Sequence, residues 1–126
     1  MNEPDHNPVA GLIELDRVVH QPARLGILCA LNNVRGMGLP ALRRATGLTQ
    51  GNLASHLGKL ESAGYVEVAS ARLLEKKLVA ARITPAGAHA LESHWRRLEA
   101  LHSGMASWEP ERTHKEELKR LKELGL

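Results

Sequence analysis

Polar side chains whose chemistry suits base edges and phosphates cluster in one short segment of the chain. Gln50 and Asn52 carry carboxamides, which can donate and accept together in a bidentate pair with adenine. Ser55 and His56 can contact a base edge or a phosphate, and Lys59 can contact a phosphate. The pattern indicates a surface that reads nucleic acid. The alternative interpretation is the solvated face of an ordinary helix.

Leucines at helical spacing position these side chains. Leu53, Leu57 and Leu60 recur at i, i+4 and i+7 and predict a helix over residues 50–62 with these leucines facing inward. Thr49 has the chemistry of an N-cap, because its hydroxyl can accept from a free N–H of the first turn. It also joins the candidate nucleic-acid contacts. The polar set therefore lies on or beside the outer face of one helix.

The neighbouring segments predict a winged helix-turn-helix. Residues 39–46 form a second short helix that ends at Gly47, and two short helices joined by a tight turn make a helix-turn-helix. Residues 65–68 and 78–83 have strand character, which predicts a hairpin directly after the second helix. The expected fold class is mainly α (α+β).

Further helices are expected on both sides of this unit. Pro22 is well placed to begin a helix whose buried stripe contains Leu25, Leu28, Cys29 and Leu31. A short helix over residues 12–19 precedes it. A long helix over about 85–103 begins after the N-cap Thr84 and has an apolar stripe. The remaining expected element is a charged tail helix over 109–124.

These elements divide the chain into three regions. Residues 1–11 are expected to form a flexible tail, and residues 12–84 the winged helix-turn-helix domain. Residues 85–126 are expected to hold the long helix and the tail helix.

Composition narrows the function classes. The chain has 126 residues and a net charge of +3, while residues 15–101 alone carry twelve basic and six acidic residues. An aromatic content of 2% argues against recognition by base stacking. The single cysteine excludes an internal disulfide and a multi-thiolate metal site. No apolar run approaches the roughly 20 residues that span a bilayer, and no signal pattern is present, so a cytoplasmic protein without membrane contact is expected.

The chain resembles winged-helix DNA-binding regulators of the MarR/ArsR type, in particular their small single-domain members. The likeness rests on LDRVVHQPARLGILCAL at residues 15–31, on GLTQGNLASHLGKLESAGYVEV at residues 47–68 and on ITPAG at residues 83–87. The resemblance implies a homodimeric transcriptional repressor that binds double-stranded DNA. It also implies a recognition helix in the major groove and a wing on the backbone or the minor groove.

The resemblance implies further site residues. The N- and C-terminal helices would form the dimer interface, for which the candidates are Leu12, Leu15, Leu91, Trp95, Leu98 and Leu101. Independently of the resemblance, the outer face of helix 50–62 carries one formal charge, Lys59, so affinity would depend on basic residues elsewhere. The candidates for these phosphate contacts are Arg43, Arg44, Arg72, Lys76, Lys77 and Arg82. Trp95 could instead line a small-molecule pocket, as in some relatives.

The hairpin tip departs from the family pattern. Residues 70–78 contain no Gly or Pro and carry two adjacent leucines. This leaves open a longer wing, a partly helical one, one that folds back and one that contacts a protein. The alternatives to a DNA-binding regulator are a protein-interaction module that uses the apolar hairpin 72–78 and a sensor that responds to a small-molecule or protein effector or to a metal. No catalytic motif, cofactor motif or metal-ligand spacing emerges, so neither an enzyme nor a metal or cofactor site is expected.

Overall fold

The computed structural model of the chain describes residues 7–109 and 113–126. Its helices and strands follow one another in the order of a winged helix with helical extensions at both ends. They are α1 (Pro8–Ile13), α2 (Pro22–Leu31), β1 (Met37–Gly38), α3 (Leu39–Thr46), α4 (Gln50–Ser62), β2 (Val66–Leu73), β3 (Lys76–Ile83), α5 (Pro85–Met105) and α6 (Thr113–Glu123). The mainly α winged helix with a long C-terminal helix is therefore confirmed.

An aliphatic core holds α2, α3, α4 and the sheet together. The antiparallel sheet has the order β1-β3-β2, and β1 was not anticipated. Each core helix sends its leucines or isoleucine inward, and the sheet adds Val66 and Ala81. The fully buried large side chains are Val19, Ile27, Leu28, Leu31, Leu42, Leu53, Leu60 and Val66.

The N-terminal region differs from the sequence-based expectation. A helix was expected over residues 12–19 after a tail over 1–11, but α1 begins at Pro8 and ends at Ile13. The reason is a local cap, because the Asn7 side chain accepts hydrogen bonds from the first turn and Pro8 suits the first helical position. Residues 1–6 lie outside the described residues. The segment 14–21 is a series of turns rather than a helix.

Helix α2 begins at Pro22 as predicted, but the buried position predicted for Cys29 is wrong. Cys29 is exposed, and Ile27 is fully buried instead. Leu28 and Leu31 are buried as expected. The sequence of α2 is apolar on most sides, so spacing alone does not fix which face turns inward.

The wing is a regular hairpin with long strands. Strands β2 and β3 pair in continuous antiparallel register from Val66↔Ile83 to Leu73↔Lys76. Of the alternatives left open for residues 70–78, the structure therefore forms the longer wing. Leu74 and Glu75 alone make the turn.

Helix α5 begins as predicted, with the Thr84 hydroxyl accepting from the Gly87 N–H at 3.0 Å. Its inward face is partly different from the expected stripe. Leu91 is buried, but His94 is 2% exposed while Trp95 is 41% exposed. Helix α6 covers most of the expected 109–124 segment, part of which lies outside the described residues.

Candidate nucleic-acid interface

Helix α4 presents the predicted polar face. The Thr49 hydroxyl accepts from the Asn52 N–H at 3.1 Å, which confirms the N-cap. Leu53, Leu57 and Leu60 fix the helix by packing inward. The opposite positions are open to solvent: Gln50, Asn52, Ser55 and Lys59 are exposed, and His56 is half-buried.

The turn before α4 is formed by Gly47. Its φ of 73° lies in the left-handed region, where glycine has no steric penalty, and its N–H donates to the Arg43 carbonyl at 2.7 Å. Arg43 and Arg44 are exposed on the last turn of α3. The two cations and the start of α4 therefore lie on either side of one tight turn.

Arg24 is a part of this site that sequence reasoning missed. Its guanidinium donates to the Val18 carbonyl at 2.7 Å and to the Arg17 carbonyl at 3.1 Å. The same group lies 3.2 Å from Nδ1 of His56. It also lines a shallow groove with Ser55 and Lys59. No short-range pattern reveals this residue, because its partners are 6, 7 and 32 positions away.

The contact with Arg24 determines the hydrogen-bonding character of His56. A guanidinium only donates, so Nδ1 of His56 must accept and the ring proton must be on Nε2. Partial burial lowers the pKa of His56, and the positive charges of Arg24 and Lys59 lower it further. The ring is therefore a neutral donor beside the exposed amides of α4.

The wing cations lie away from α4 along the hairpin. Arg72 and Lys77 are directly opposite each other in the β2–β3 register, and Lys76 is opposite Leu73. All three cations are exposed. Arg82, nearer the base of the hairpin, instead pairs with Glu67 at 2.8 Å.

A second polar cluster, also missed, joins the segment 14–21 to the start of β2 and to α5. The Tyr65 hydroxyl donates to the Asp16 carboxylate at 2.7 Å. Partial burial raises the pKa of Asp16, but this hydrogen bond, the Val18 and Val19 N–H groups and nearby His94 outweigh it, and the pKa lies below its usual value. The same contact raises the pKa of Tyr65.

His94 belongs to this cluster. Its Nε2 lies 3.4 Å from Nδ1 of His20, and its own Nδ1 is buried without a hydrogen-bond partner among the described residues. Burial lowers the pKa of His94 and the neighbouring His20 lowers it further, against the opposing effect of Asp16. His94 is therefore held neutral.

Cys29 of α2 is exposed as a residue, but desolvation of its sulfur raises the pKa of the thiol, which is thereby kept protonated.

The six dimer candidates fall into three groups. Leu15 and Leu91 are each 3% exposed and are already covered within one chain. Leu98 and Leu101 are half-buried, and a Cβ added at Gly11 of α1 would lie 2.5 Å from Leu101. Leu12 and Trp95 remain exposed, as does an apolar edge formed by Leu118 and Leu121 of α6 and by Leu124, which follows the helix.

Across residues 7–109 and 113–126, no three His, Cys, Asp or Glu side chains converge as a metal site. In the same ranges no helix has the length and apolar character to cross a membrane.

A helix-turn-helix with an exposed polar recognition face, followed by a hairpin wing, defines a winged-helix DNA-binding protein. Comparison with known families agrees: the model of the winged helix DNA-binding domain family matches residues 23–102. The chain belongs to this family. A search among curated proteins gave no significant match.

Solved structures with a similar fold include transcriptional regulators. A transcriptional regulator homologue from Pyrococcus horikoshii superposes with a TM-score of 0.70 at 24% identity, over 78% of this chain and 96% of that one. A MarR-family regulator from Silicibacter pomeroyi superposes with a TM-score of 0.54 at 19% identity, over 93% of this chain and 78% of that one. Bordetella bronchiseptica BpsR, whose DNA binding is regulated by 6-hydroxynicotinic acid, superposes with a TM-score of 0.59 at 21% identity. The superposition covers 94% of this chain and 92% of BpsR. These superpositions confirm the winged-helix fold that the MarR/ArsR-type resemblance implies.

Proposed function

We propose that the protein is a sequence-specific repressor that binds double-stranded DNA with α4 in the major groove. The observation that carries this proposal is the outer face of α4, where Gln50, Asn52 and Ser55 are exposed above a fully packed leucine face. An exposed carboxamide can make a bidentate contact with adenine, and His56 adds a single N–H donor that suits an acceptor on guanine or a phosphate. Arg43, Arg44 and Lys59 supply phosphate contacts.

The test is enrichment of bound duplexes from a random pool, followed by anisotropy titrations of the enriched sequence. A repressor predicts a pseudo-palindromic site and binding that weakens steeply with salt. Asn52→Ala should relax preference at one base pair of each half-site, by roughly 1–3 kcal/mol. Lys59→Ala should weaken the binding of all DNA sequences about equally. Failure to enrich any sequence would contradict the proposal.

We also propose that the active form is a homodimer built on α1, α5 and α6. Support comes from the apolar side chains that one chain leaves exposed there, including Leu12, Trp95 and Leu121. Two copies would place their α4 helices about one helical turn apart on DNA, roughly 34–36 Å. Light scattering measures the mass, and the half-site spacing of the enriched duplex measures the geometry. A monomer on a single half-site would contradict this proposal.

We infer that an acidic small molecule is the effector. A pocket between the segment 14–21, Tyr65 and α5 is lined by the polar residues Asp16, His89, Ser93, His94 and Arg97. The Asp16 carboxylate already accepts a hydrogen bond from the Tyr65 hydroxyl. Arg97 offers the cation that a carboxylate requires, and BpsR provides a precedent of the same fold. Aromatic carboxylates should raise the melting temperature of the wild type and not of Arg97→Ala. Equal shifts in both proteins would contradict this site.

A further inference from the structure

The tip of the wing combines apolar exposure with an unusual turn. Leu73 is 60% exposed and Leu74 is 88% exposed, and Leu78 across the hairpin is 51% exposed. Leu74 and Glu75, the two turn residues, have φ values of 52° and 64°. Two-residue turns with positive φ at both positions favour Gly, Asn or Asp. The chain therefore holds a leucine outward at a position where hairpin stability alone would select a different residue.

The charges beside this tip favour a polyanionic partner. Arg72 and Lys77 are directly opposite each other on one face of the hairpin, where like charges repel. Neither forms an ion pair with any residue in 7–109 or 113–126. Lys76 adds a third cation, and Glu75 is the one acidic residue between Arg72 and Lys77 in the sequence. Phosphates on both sides of the tip would relieve this repulsion.

The length of the free hairpin fits a neighbouring groove of DNA. On β2, Val66 is buried and Val68 is half-buried, while residues 69–73 are all exposed. Five residues of strand extend about 16 Å at roughly 3.3 Å each. The centres of adjacent major and minor grooves are separated along the axis by half a helical turn, about 17 Å. A wing that projects from the end of α4 along the DNA can therefore reach the next minor groove.

We propose that Leu74 is an apolar wedge that enters the minor groove and unstacks a base step, with Arg72 and Lys77 on the flanking phosphates. Minor-groove proteins insert leucine and other apolar side chains between base steps in this way and bend the duplex. The inference rests on the proposed function, because the DNA that meets the wedge is the DNA that α4 reads. It adds a second point of sequence selection, since flexible pyrimidine–purine steps are the easiest to unstack.

The experiment uses the full chain and the enriched duplex, with 2-aminopurine placed in turn at each position outside the α4 contact. The fluorescence of this adenine analogue rises when it is unstacked. The wild type should raise it at one step per half-site, about half a helical turn from the centre of the α4 contact. Leu74→Asn should abolish the rise and weaken binding by about tenfold or less, because the lost leucine burial is partly offset by the unstacking no longer required.

Variants of the wing distinguish insertion of Leu74 into the base stack from a general effect of apolar surface on binding. Leu74→Asn suits the positive φ, so its melting temperature should equal or exceed that of the wild type and its hairpin should remain formed. Leu78→Ser removes an exposed leucine two pairs before the last pair of the hairpin and should keep the fluorescence rise. R72A/K77A removes two phosphate contacts per wing, so log K should fall less steeply with log salt, by about 2 in the slope per wing.

The possible outcomes either support or overturn the wedge. Specific binding by the wild type without any fluorescence rise overturns the wedge and leaves the proposed function standing. A fluorescence rise that persists in Leu74→Asn overturns the wedge, and the exposed leucines of the tip would then serve to bind a protein partner. Equal loss in Leu74→Asn and Leu78→Ser also overturns it, because the effect would then belong to the apolar surface as a whole. Failure to enrich any duplex is the separate result that contradicts the proposed function.

Discussion

At Gly87 the packing of the fold leaves no space for a side chain. A Cβ built there would overlap the carbonyl oxygen of Tyr65 and would lie 2.9 Å from its carbonyl carbon and 3.0 Å from Cγ1 of Ile83. The nearest obstacle is backbone, which cannot rotate away. The φ of Gly87 is not in the left-handed region, so space alone excludes alanine. We therefore predict that Gly87→Ala destabilises the protein.

The magnitude follows from two opposing terms. Overpacking against backbone costs about 3 kcal/mol, the upper part of the usual range. Alanine in place of glycine inside a helix stabilises by about 1 kcal/mol. The net loss is about 2 kcal/mol of unfolding free energy, which lowers the melting temperature of a chain of this size by roughly 6–10 °C. The Thr84 N–H to Tyr65 carbonyl hydrogen bond, 3.0 Å long, would be disturbed at the same time.

Urea and thermal unfolding followed by circular dichroism measure this loss, and Gly58→Ala is the matched control. Gly58 lies within α4, is exposed, and an added Cβ there meets nothing within 4 Å. The same substitution should therefore stabilise by about 0.5–1 kcal/mol at Gly58. If Gly87→Ala were as stable as the wild type, or if both variants changed stability in the same direction, the packing argument would be refuted.

Three further predictions concern the polar contacts. Arg24→Met keeps the aliphatic stem but removes the hydrogen bond to the Val18 carbonyl, so the unfolding free energy in urea should fall by about 2 kcal/mol; no change would show that the guanidinium is dispensable. His94 has a lowered pKa, so the wild type should lose stability as the pH falls below about 6.5, and His94→Phe should show a flatter profile in pH-dependent thermal melts. Parallel profiles would contradict this assignment. Tyr65→Phe should cost about 1.5 kcal/mol at pH 7, because the carboxylate of Asp16 loses a donor. The difference should shrink as the pH falls below about 4 and Asp16 becomes protonated, and a constant difference would contradict the charged hydrogen bond.

Local signals made the helix-turn-helix predictable from the sequence. Gly47 ends α3, Thr49 caps α4, and three leucines mark the buried face, so each decisive feature lies within a few residues of the element it defines. The start of α5 was equally clear from Thr84 and Pro85. These signals act through backbone hydrogen bonds that do not depend on the rest of the fold.

The parts that were not predicted depend on distant partners or on an ambiguous pattern. His94 points inward because it meets His20, which is 74 residues away, and Trp95 turns outward as a consequence. The hairpin continues to its tip without a glycine because pairing with the opposite strand holds both turn residues, which no local propensity predicts. Cys29 was misplaced because several faces of α2 are apolar.

The segment 14–21 explains how these separate contacts act together. Asp16 accepts from Tyr65 at the start of the wing, while His20 meets His94 of α5. The carbonyl of Val18 accepts from Arg24, whose guanidinium also lies beside His56 of α4. A ligand shifts a conformational equilibrium only through contacts that differ between the two states. The proposed effector pocket is lined by groups of this segment and of α5, and the proposed DNA contact His56 rests on the same segment through Arg24. The proposed effector pocket and the proposed DNA contact therefore share the segment 14–21. The hydrogen bonds of Arg24 join this segment to His56 of α4.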